Sequence, residues 1–219
     1  FVEKDFLGRK VLITAGPTRE PIDPARYLSN RSSGKMGYAL ARVARRRGGR
    51  VTLVSGPVNL APPPDVECVN VLTAAEMHKA VMERAADSSI IIKAAAVADF
   101  KPQESSPRKI KKSGADLTLE LTANPDILAG LGKARTDHQL LVGFAAESDN
   151  HEDEGQRKLY DKNVDLMVVN DILGEKTGFD VDTNQVTLIT RKSVQPLPLL
   201  SKEETAGRIL DKILELSRK

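Results

Sequence analysis

Cysteine occurs once in the 219 residues, at Cys68, so no internal disulfide can form. A single thiol suits a reducing cytoplasm, the compartment expected here. The three histidines, His78, His138 and His151, are scattered, and with one cysteine they offer no metal-ligand set. Tryptophan is absent and aromatic residues make up only 4%, which argues against a base-stacking surface. The formal net charge is +3, too small an excess to point to nucleic acid as the partner. No apolar run reaches the roughly 20 residues of a membrane-spanning helix. No secretory signal pattern is visible, so no membrane partner is expected. No hydrolase triad is apparent, and Cys68, between the apolar Val66 and Val69, reads as structural. Chemistry in this chain therefore has to rest on cations, amides and bound phosphates rather than on a protein nucleophile.

What is present is the make-up of an ordinary globular domain, 40% hydrophobic and 29% charged. The charged opening from Phe1 to Gly8 reads as a linker remnant, and residues 9–219 as one domain. Val11 to Ala15 is an apolar run of the buried parallel-strand kind; Val51 to Val54, Val66 to Val71, Leu140 to Ala146 and Val164 to Val169 read as further strands, and Ile90 to Val97 as one that is apolar except for Lys93. A helix is predicted over Lys35 to Arg47, with Met36, Leu40, Val43 and Ala44 on one face and Gly48-Gly49 at its end. Capping boxes at Thr73–Glu76 and Ser201–Glu204 open two more helices. The last of these has Ile209, Ile213, Leu214 and Leu216 on its apolar side. A short helix is predicted over Asn124 to Leu131, with Pro125 in its first turn, and a polar one near Glu154 to Lys162. Leu117 to Leu121 alternates like a strand, and Lys101 to Gly114 reads as an exposed flexible loop. Val186 to Thr190 and Ser193 to Leu199 read as an antiparallel pair. The expected fold is α/β: a Rossmann-like, three-layer arrangement with a mainly parallel sheet and a C-terminal antiparallel strand pair. Ligands of such sheets bind beyond the carboxyl ends of the strands, which directs attention to the loops after Ala15, Val54, Val97, Ala146 and Val169.

The first of these loops, Gly16 to Glu20 running on to Asn30 through Gly37, is rich in hydroxyls and glycine and ends at a helix start. Free amides there favour an anion such as phosphate, although a plain strand–helix loop with a serine cap fits the same pattern. The spacing excludes a dinucleotide fingerprint, and Ser29 and Met36 exclude a Walker A loop. Ala94 to Phe100 puts small residues at a strand end, where a planar ligand can lie against backbone with Asp99 beside it. Tight packing with Asp99 as a turn residue is the alternative. Lys109-Ile110-Lys111-Lys112 can offset triphosphate charge or be a solvated run. Asn124-Pro125-Asp126-Ile127 reads as a capped helix start or a nucleotide contact. Phe144, within Gly143 to Glu147, is a base platform or core, and Lys158 and Lys162 share one helix face.

Each feature is weak alone. Their order and wording together closely resemble the synthetase half of the bacterial bifunctional phosphopantothenoylcysteine decarboxylase/synthetase, from about Gly8 to the C-terminus. The segments that carry the resemblance are Gly16 to Asp23, Ser29 to Gly37, Ala94 to Phe100, Lys109 to Lys112 and Gly143 to Glu147. The resemblance implies a ligase that joins 4′-phosphopantothenate to L-cysteine with CTP and Mg²⁺, through an acyl-cytidylate. It implies Asn30 and Lys109 as catalytic residues, and Ala95, Ala96, Asp99, Lys109, Asn124, Pro125, Asp126, Ile127, Phe144, Lys158 and Lys162 at the nucleotide. Gly16, Thr18, Arg19, Ser32, Ser33, Gly34 and Lys35 are expected to form the substrate and phosphate loop, and Lys111 and Lys112 a flap. A homodimer is expected, with Val186 to Leu199 a candidate contributor, and a fused N-terminal decarboxylase domain carrying FMN.

Overall fold

The computed structural model describes residues 3–112, 116–147, 151–171 and 181–218. Phe1 and Val2 of the expected linker, and Ser113 and Gly114 of the expected flexible loop, lie outside the described residues. Strand β1 (Lys10–Ala15) leads to the hairpin of β2 (Arg19–Pro21) and β3 (Tyr27–Ser29), then to helix α1 (Lys35–Arg46) and strand β4 (Arg50–Ser55). Strand β5 (Glu67–Asn70), helix α2 (Ala74–Ala85) and strand β6 (Ile90–Lys93) follow. A second small ladder, β7 (Phe100–Pro102) with β8 (Leu121–Ala123), precedes α3 (Ile127–Ala134), β9 (Leu140–Glu147), α4 (His151–Asp161) and β10 (Leu166–Asp171). The chain closes with β11 (Thr183–Asn184), β12 (Val186–Ile189), β13 (Val194–Pro196), β14 (Leu200–Ser201) and α5 (Lys202–Ser217).

The main sheet runs β13-β12-β10-β9-β6-β1-β4-β5. All pairings from β10 to β5 are parallel, while β12 and β13 add an antiparallel edge, as the alternation of strand and helix signals predicts. The chain steps outward from β1 through β4 to β5, then returns to lay β6 on the other side of β1. That reversal opens a crevice between the connections that leave the carboxyl ends of β1 and β6.

Strand alternation divides the core into two layers. Val11, Ile13, Ile90, Ile92, Val142 and Val168 pack on the side of α1 and α5. Leu12, Ile91, Leu141, Met167 and Val169 pack on the side of α2, α3 and α4. Burial on both faces is why these strands are continuous apolar runs, each buried Leu or Ile contributing about 1.5–3 kcal/mol. Both capping boxes form, with Thr73 and Ser201 accepting from the Glu76 and Glu204 amides. Among the described residues no helix is long and apolar enough to cross a membrane.

Four expectations need correction. The loop after β1 contains the β2–β3 hairpin, whose Glu20 is buried and accepts from the Ala74 amide at 2.9 Å, capping α2. Strand β6 ends at Lys93 rather than Val97, because the amides of Ala95, Ala96 and Ala98 turn to the β1 loop. The strand expected at Leu117 to Leu121 lies at Leu121–Ala123, paired with Phe100–Pro102. Helix α3 starts at Ile127 with Asp126 as its cap, so Asn124 is not the cap and Pro125 lies before the helix. Asn124 is committed elsewhere, its side-chain amide donating to the Ala98 carbonyl at 2.9 Å.

The residues after β7 form a strap anchored to the loop between β2 and β3. Ser106 N donates to the Ile22 carbonyl at 2.9 Å. Asp23 accepts from the amides of Ala25 and Arg26, both at 2.8 Å, from the Arg26 guanidinium and from the Ile110 amide at 3.1 Å. Arg26 in turn donates to the Ile110 carbonyl at 3.0 Å. One Asp–Arg pair thus grips both backbone groups of Ile110. The Arg26 guanidinium, with the Ala25, Ile110 and Arg26 amides and against the desolvation of burial, holds the Asp23 carboxyl far below the usual carboxylate range. A depressed carboxyl contributes stability above its unfolded value and loses it only as pH falls through the lower folded value. The strap should therefore resist limited proteolysis between residues 103 and 112 equally at neutral pH and near pH ~4, where ordinary carboxylates protonate. Asp23→Asn, which keeps the shape and removes the charge, should speed cleavage severalfold at both.

Candidate functional site

The loops at the carboxyl ends of β1 and β6 are joined bond by bond. Thr14 and Thr18 are fully buried, and their hydroxyls accept from the amides of Ala95 at 3.1 Å and Ala98 at 3.0 Å. Between them the Gly16 carbonyl accepts from the Ala96 amide at 3.0 Å, and Pro17 bridges Ala96. The Asn30 side-chain amide donates to the Ala96 carbonyl at 3.0 Å. Small residues from Ala94 to Ala98 permit this close approach. Gly16 and Gly34, at φ +75° and +77°, make the turns, and a Cβ on Gly34 would stand 2.6 Å from Val58 Cγ1. Among the described residues no side-chain cap bond is made at Gly34, the N-cap of α1, so the expected serine cap is not formed there and the helix start suits an anion.

A cleft of about 380 Å³ opens above this seam. One wall carries Asn30, Ser32, Ser33, Gly34 and Lys35 from the β1 loop and α1. The floor is Lys93 to Val97 with Phe144 to Ala146, and Asp99 and Lys158 stand on the α3/α4 side. Asn170, Asn184 and Lys202 close the α1/α5 side. A second hollow of about 530 Å³ shares Asn30, Ser32, Ser33 and Lys35 and continues to Arg19, whose guanidinium lies over the Tyr27 ring at 4.6 Å. Asn30 therefore sits where the two hollows meet.

Electrostatics favour an anion here. Lys202, 7% exposed, donates to Asn184 Oδ1 at 2.7 Å and the Thr183 carbonyl at 3.2 Å. Lys35 pairs with Asp182 at 2.7 Å. Burial pushes the Lys93 ammonium below its ordinary value and Lys158 adds to this, while Asp126 and Asp99 oppose it. Burial pushes the Asp126 carboxyl up, but the Lys162 ammonium at 2.7 Å and the Ala129 amide outweigh it and hold the group low.

The structure gathers Asn30, Ser32, Ser33, Gly34, Lys35, Ala95, Ala96, Asp99, Phe144 and Lys158 at one cleft. Gly16 and Thr18 lie in the seam beneath it, and Arg19 in the adjoining hollow. Other expected residues stand outside its lining. Asn124 ties the Ala98–Asp99 turn to α3, Asp126 caps that helix, and Ile127 is core. Lys162 reaches Asp126 rather than the cleft. Lys109, Lys111 and Lys112 are exposed on the strap and outside the lining of either hollow, next to Ile110, which is fastened to Asp23 and Arg26. The side chain of Glu147 lies outside the described residues. Lys93, Asn170, Asn184 and Lys202 line the cleft and were missed. Lys93 had a signal, a lone charge inside an apolar strand, and Asn170 follows an expected strand end. Asn184 and Lys202 reach the site only through tertiary folding.

Residues 6–216 match the family described as the DNA/pantothenate metabolism flavoprotein C-terminal domain. The chain is 44% identical over 217 residues to the coenzyme A biosynthesis bifunctional protein CoaBC of Haemophilus influenzae, a match that covers 99% of this chain and 54% of that one. It is 46% identical over 213 residues to the CoaBC of Escherichia coli K12, covering 96% and 52%. The chain thus spans about half the length of these relatives. A crystal structure of the C-terminal domain of a CoaBC superposes with a TM-score of 0.84 at 42% identity, covering 98% of each chain. A Cab2 H337A mutant solved as a complex with phosphopantothenate-cysteine shares the fold, with a TM-score of 0.76 at 18% identity, over 96% of this chain and 89% of that one. On sequence and fold alike, the chain belongs to the DNA/pantothenate metabolism flavoprotein C-terminal domain family.

Proposed function

We propose that the chain catalyses amide-bond formation in coenzyme A biosynthesis, joining 4′-phosphopantothenate to L-cysteine with CTP. The observation that carries this reading is the lysine- and amide-lined cleft at the β1/β6 crevice, in a chain whose relatives are named for that pathway. A carboxylate is a poor electrophile. Its oxygen attacks the α-phosphorus of CTP, the bond to the β-phosphate breaks, and pyrophosphate leaves. The cysteine amine then attacks the acyl carbon of the mixed anhydride, loses a proton, and CMP departs with the bonding electrons.

In this reading the nucleotide lies over Ala95 and Ala96 in the 380 Å³ cleft, with Lys158 toward its phosphates. The acid enters from the adjoining hollow, its own phosphate near Arg19 and the start of α1. Asn30, held by Ala96 at the junction, offers a neutral amide to the reacting carboxyl or α-phosphate. Among the described residues no three carboxylate, imidazole or thiol groups form a metal cage. Magnesium would then be carried by phosphate oxygens and water, its common mode with nucleotides. Lys109 has to be delivered by movement of the strap or by a second copy of the chain. Exposed apolar residues favour a second copy on the small ladders: Tyr27, Phe100 and Leu121 are each about half exposed on β3, β7 and β8. The region 186–199 is a weaker choice, since Val186, Leu188 and Ile189 are already core. A decarboxylase partner domain with FMN remains part of the proposal for the full-length protein.

Purified protein should release pyrophosphate only with CTP, phosphopantothenate and Mg²⁺ together, and form the amide once cysteine is added. Absence of amide product would refute the reading, and faster turnover with ATP in direct competition would reassign the nucleotide. Asn30→Ala should lower turnover by about 10²–10³, the usual cost of one preorganised donor, with a smaller change in CTP binding. Lys109→Ala should likewise abolish activation while CTP binding falls less. Leu121→Asp should shift the protein from dimer to monomer in analytical ultracentrifugation; an unchanged dimer would place the interface elsewhere.

A further inference from the structure

Lys93 is the last residue of β6, directly beside Thr14 of β1 and Gly143 of β9. Ile91, two residues earlier, belongs to the core layer under α2, α3 and α4, so strand alternation sends Lys93 to that same face. There it lines the cleft together with Asp99 and Lys158. The charged groups that act on it are Asp126 at the start of α3, Asp99 after β6 and Lys158 on α4, while its strand neighbours Thr14 and Gly143 carry no charge. Asp126 is already engaged by Lys162 at 2.7 Å and by the Ala129 amide at 2.9 Å. No hydrogen bond or ion pair to the Lys93 ammonium is found among the described residues. A half-buried cation without a bonded anion is partly desolvated at a cost that is relieved when an anion enters.

We propose that Lys93 is a phosphate-contacting residue that, with Lys158, binds the polyphosphate chain of the nucleotide. The identity of the ligand rests on the proposed CTP-dependent reaction; the anion site itself rests on the placement of Lys93. Phosphate oxygens beside the ammonium favour its charged form, so binding draws a proton onto Lys93 wherever the free enzyme holds it partly neutral. The sign follows from linkage: the bound state has the higher lysine pKa, so affinity is full at lower pH and is lost as pH rises through the window between the two values.

Calorimetric titration with CTP and with inorganic pyrophosphate, at mildly alkaline pH in two buffers of different ionisation enthalpy, tests this. Wild-type protein should take up protons on binding each. Lys93→Met should weaken both ligands by about tenfold or more and abolish the uptake. Lys93→Arg should keep most of the affinity yet still abolish the uptake, since arginine does not deprotonate. If the methionine variant fails to fold by thermal melt, the arginine variant alone decides. Wild-type binding with equal affinity and uptake in Lys93→Met overturns the assignment of Lys93 while leaving the ligase reading intact. Affinity lost in Lys93→Met but not restored by arginine also overturns it. No binding of either ligand by wild-type protein overturns both.

Discussion

The site depends on a seam, the set of bonds that carries the β1–β6 pairing past the ends of the two strands. Two buried threonine hydroxyls, one glycine carbonyl and two asparagine amides, those of Asn30 and Asn124, pair with polar groups of the Ala95–Ala98 turn. Left unpaired, the buried amides of Ala95 and Ala98 would each cost about 1–3 kcal/mol. Because the bonds are made, backbone rather than side chains floors the cleft, and a flat ligand can lie close to it. The same bonds fix Asn30 at the junction of the two hollows.

Around this seam the sheet topology distributes charge. The α1/α5 side brings Lys35 and Lys202, each with a partner, and the start of α1. The α3/α4 side brings Lys158 and the partly desolvated Lys93, with Asp126 drawn off by Lys162. Each side is thus electropositive by a different means, one through the start of α1 and fixed cations, the other through a half-buried, under-compensated one. The strap stands apart from both, held by Asp23 and Arg26 on the hairpin. Its lysines meet the cleft only if that anchorage or the assembly brings them.

Most of the sheet was legible because strands buried on both faces are mainly apolar, as are Val11 to Ala15 and Leu166 to Val169. The capping boxes at Thr73 and Ser201 fixed two helix starts through local bonds alone. Legibility failed where a tertiary bond redirected a local signal. Asn124 looks like a helix cap, but its amide goes to Ala98 and Asp126 takes the cap. Arg19 to Pro21 and Tyr27 to Ser29 are too short and polar to declare a hairpin, which pairing and the Glu20 contact to α2 create. In the site, motif residues on the first loop and after β6 converge as their order suggests, whereas Asn184 and Lys202 come from a distant segment with no motif. Lys109 shows the limit of motif reasoning: a lysine's place in a pattern does not say which face of one chain it reaches.

A crystal structure of the protein with CTP and Mg²⁺ bound tests the central claim most directly. The triphosphate is expected in the β1/β6 cleft, its phosphates against Lys93 and Lys158, its base over the Ala95–Ala96 backbone, and its α-phosphorus within reach of Asn30. Nucleotide bound instead in the groove at the opposite end of the sheet, lined by Arg9, Arg135, Lys192 and Lys212, would contradict it.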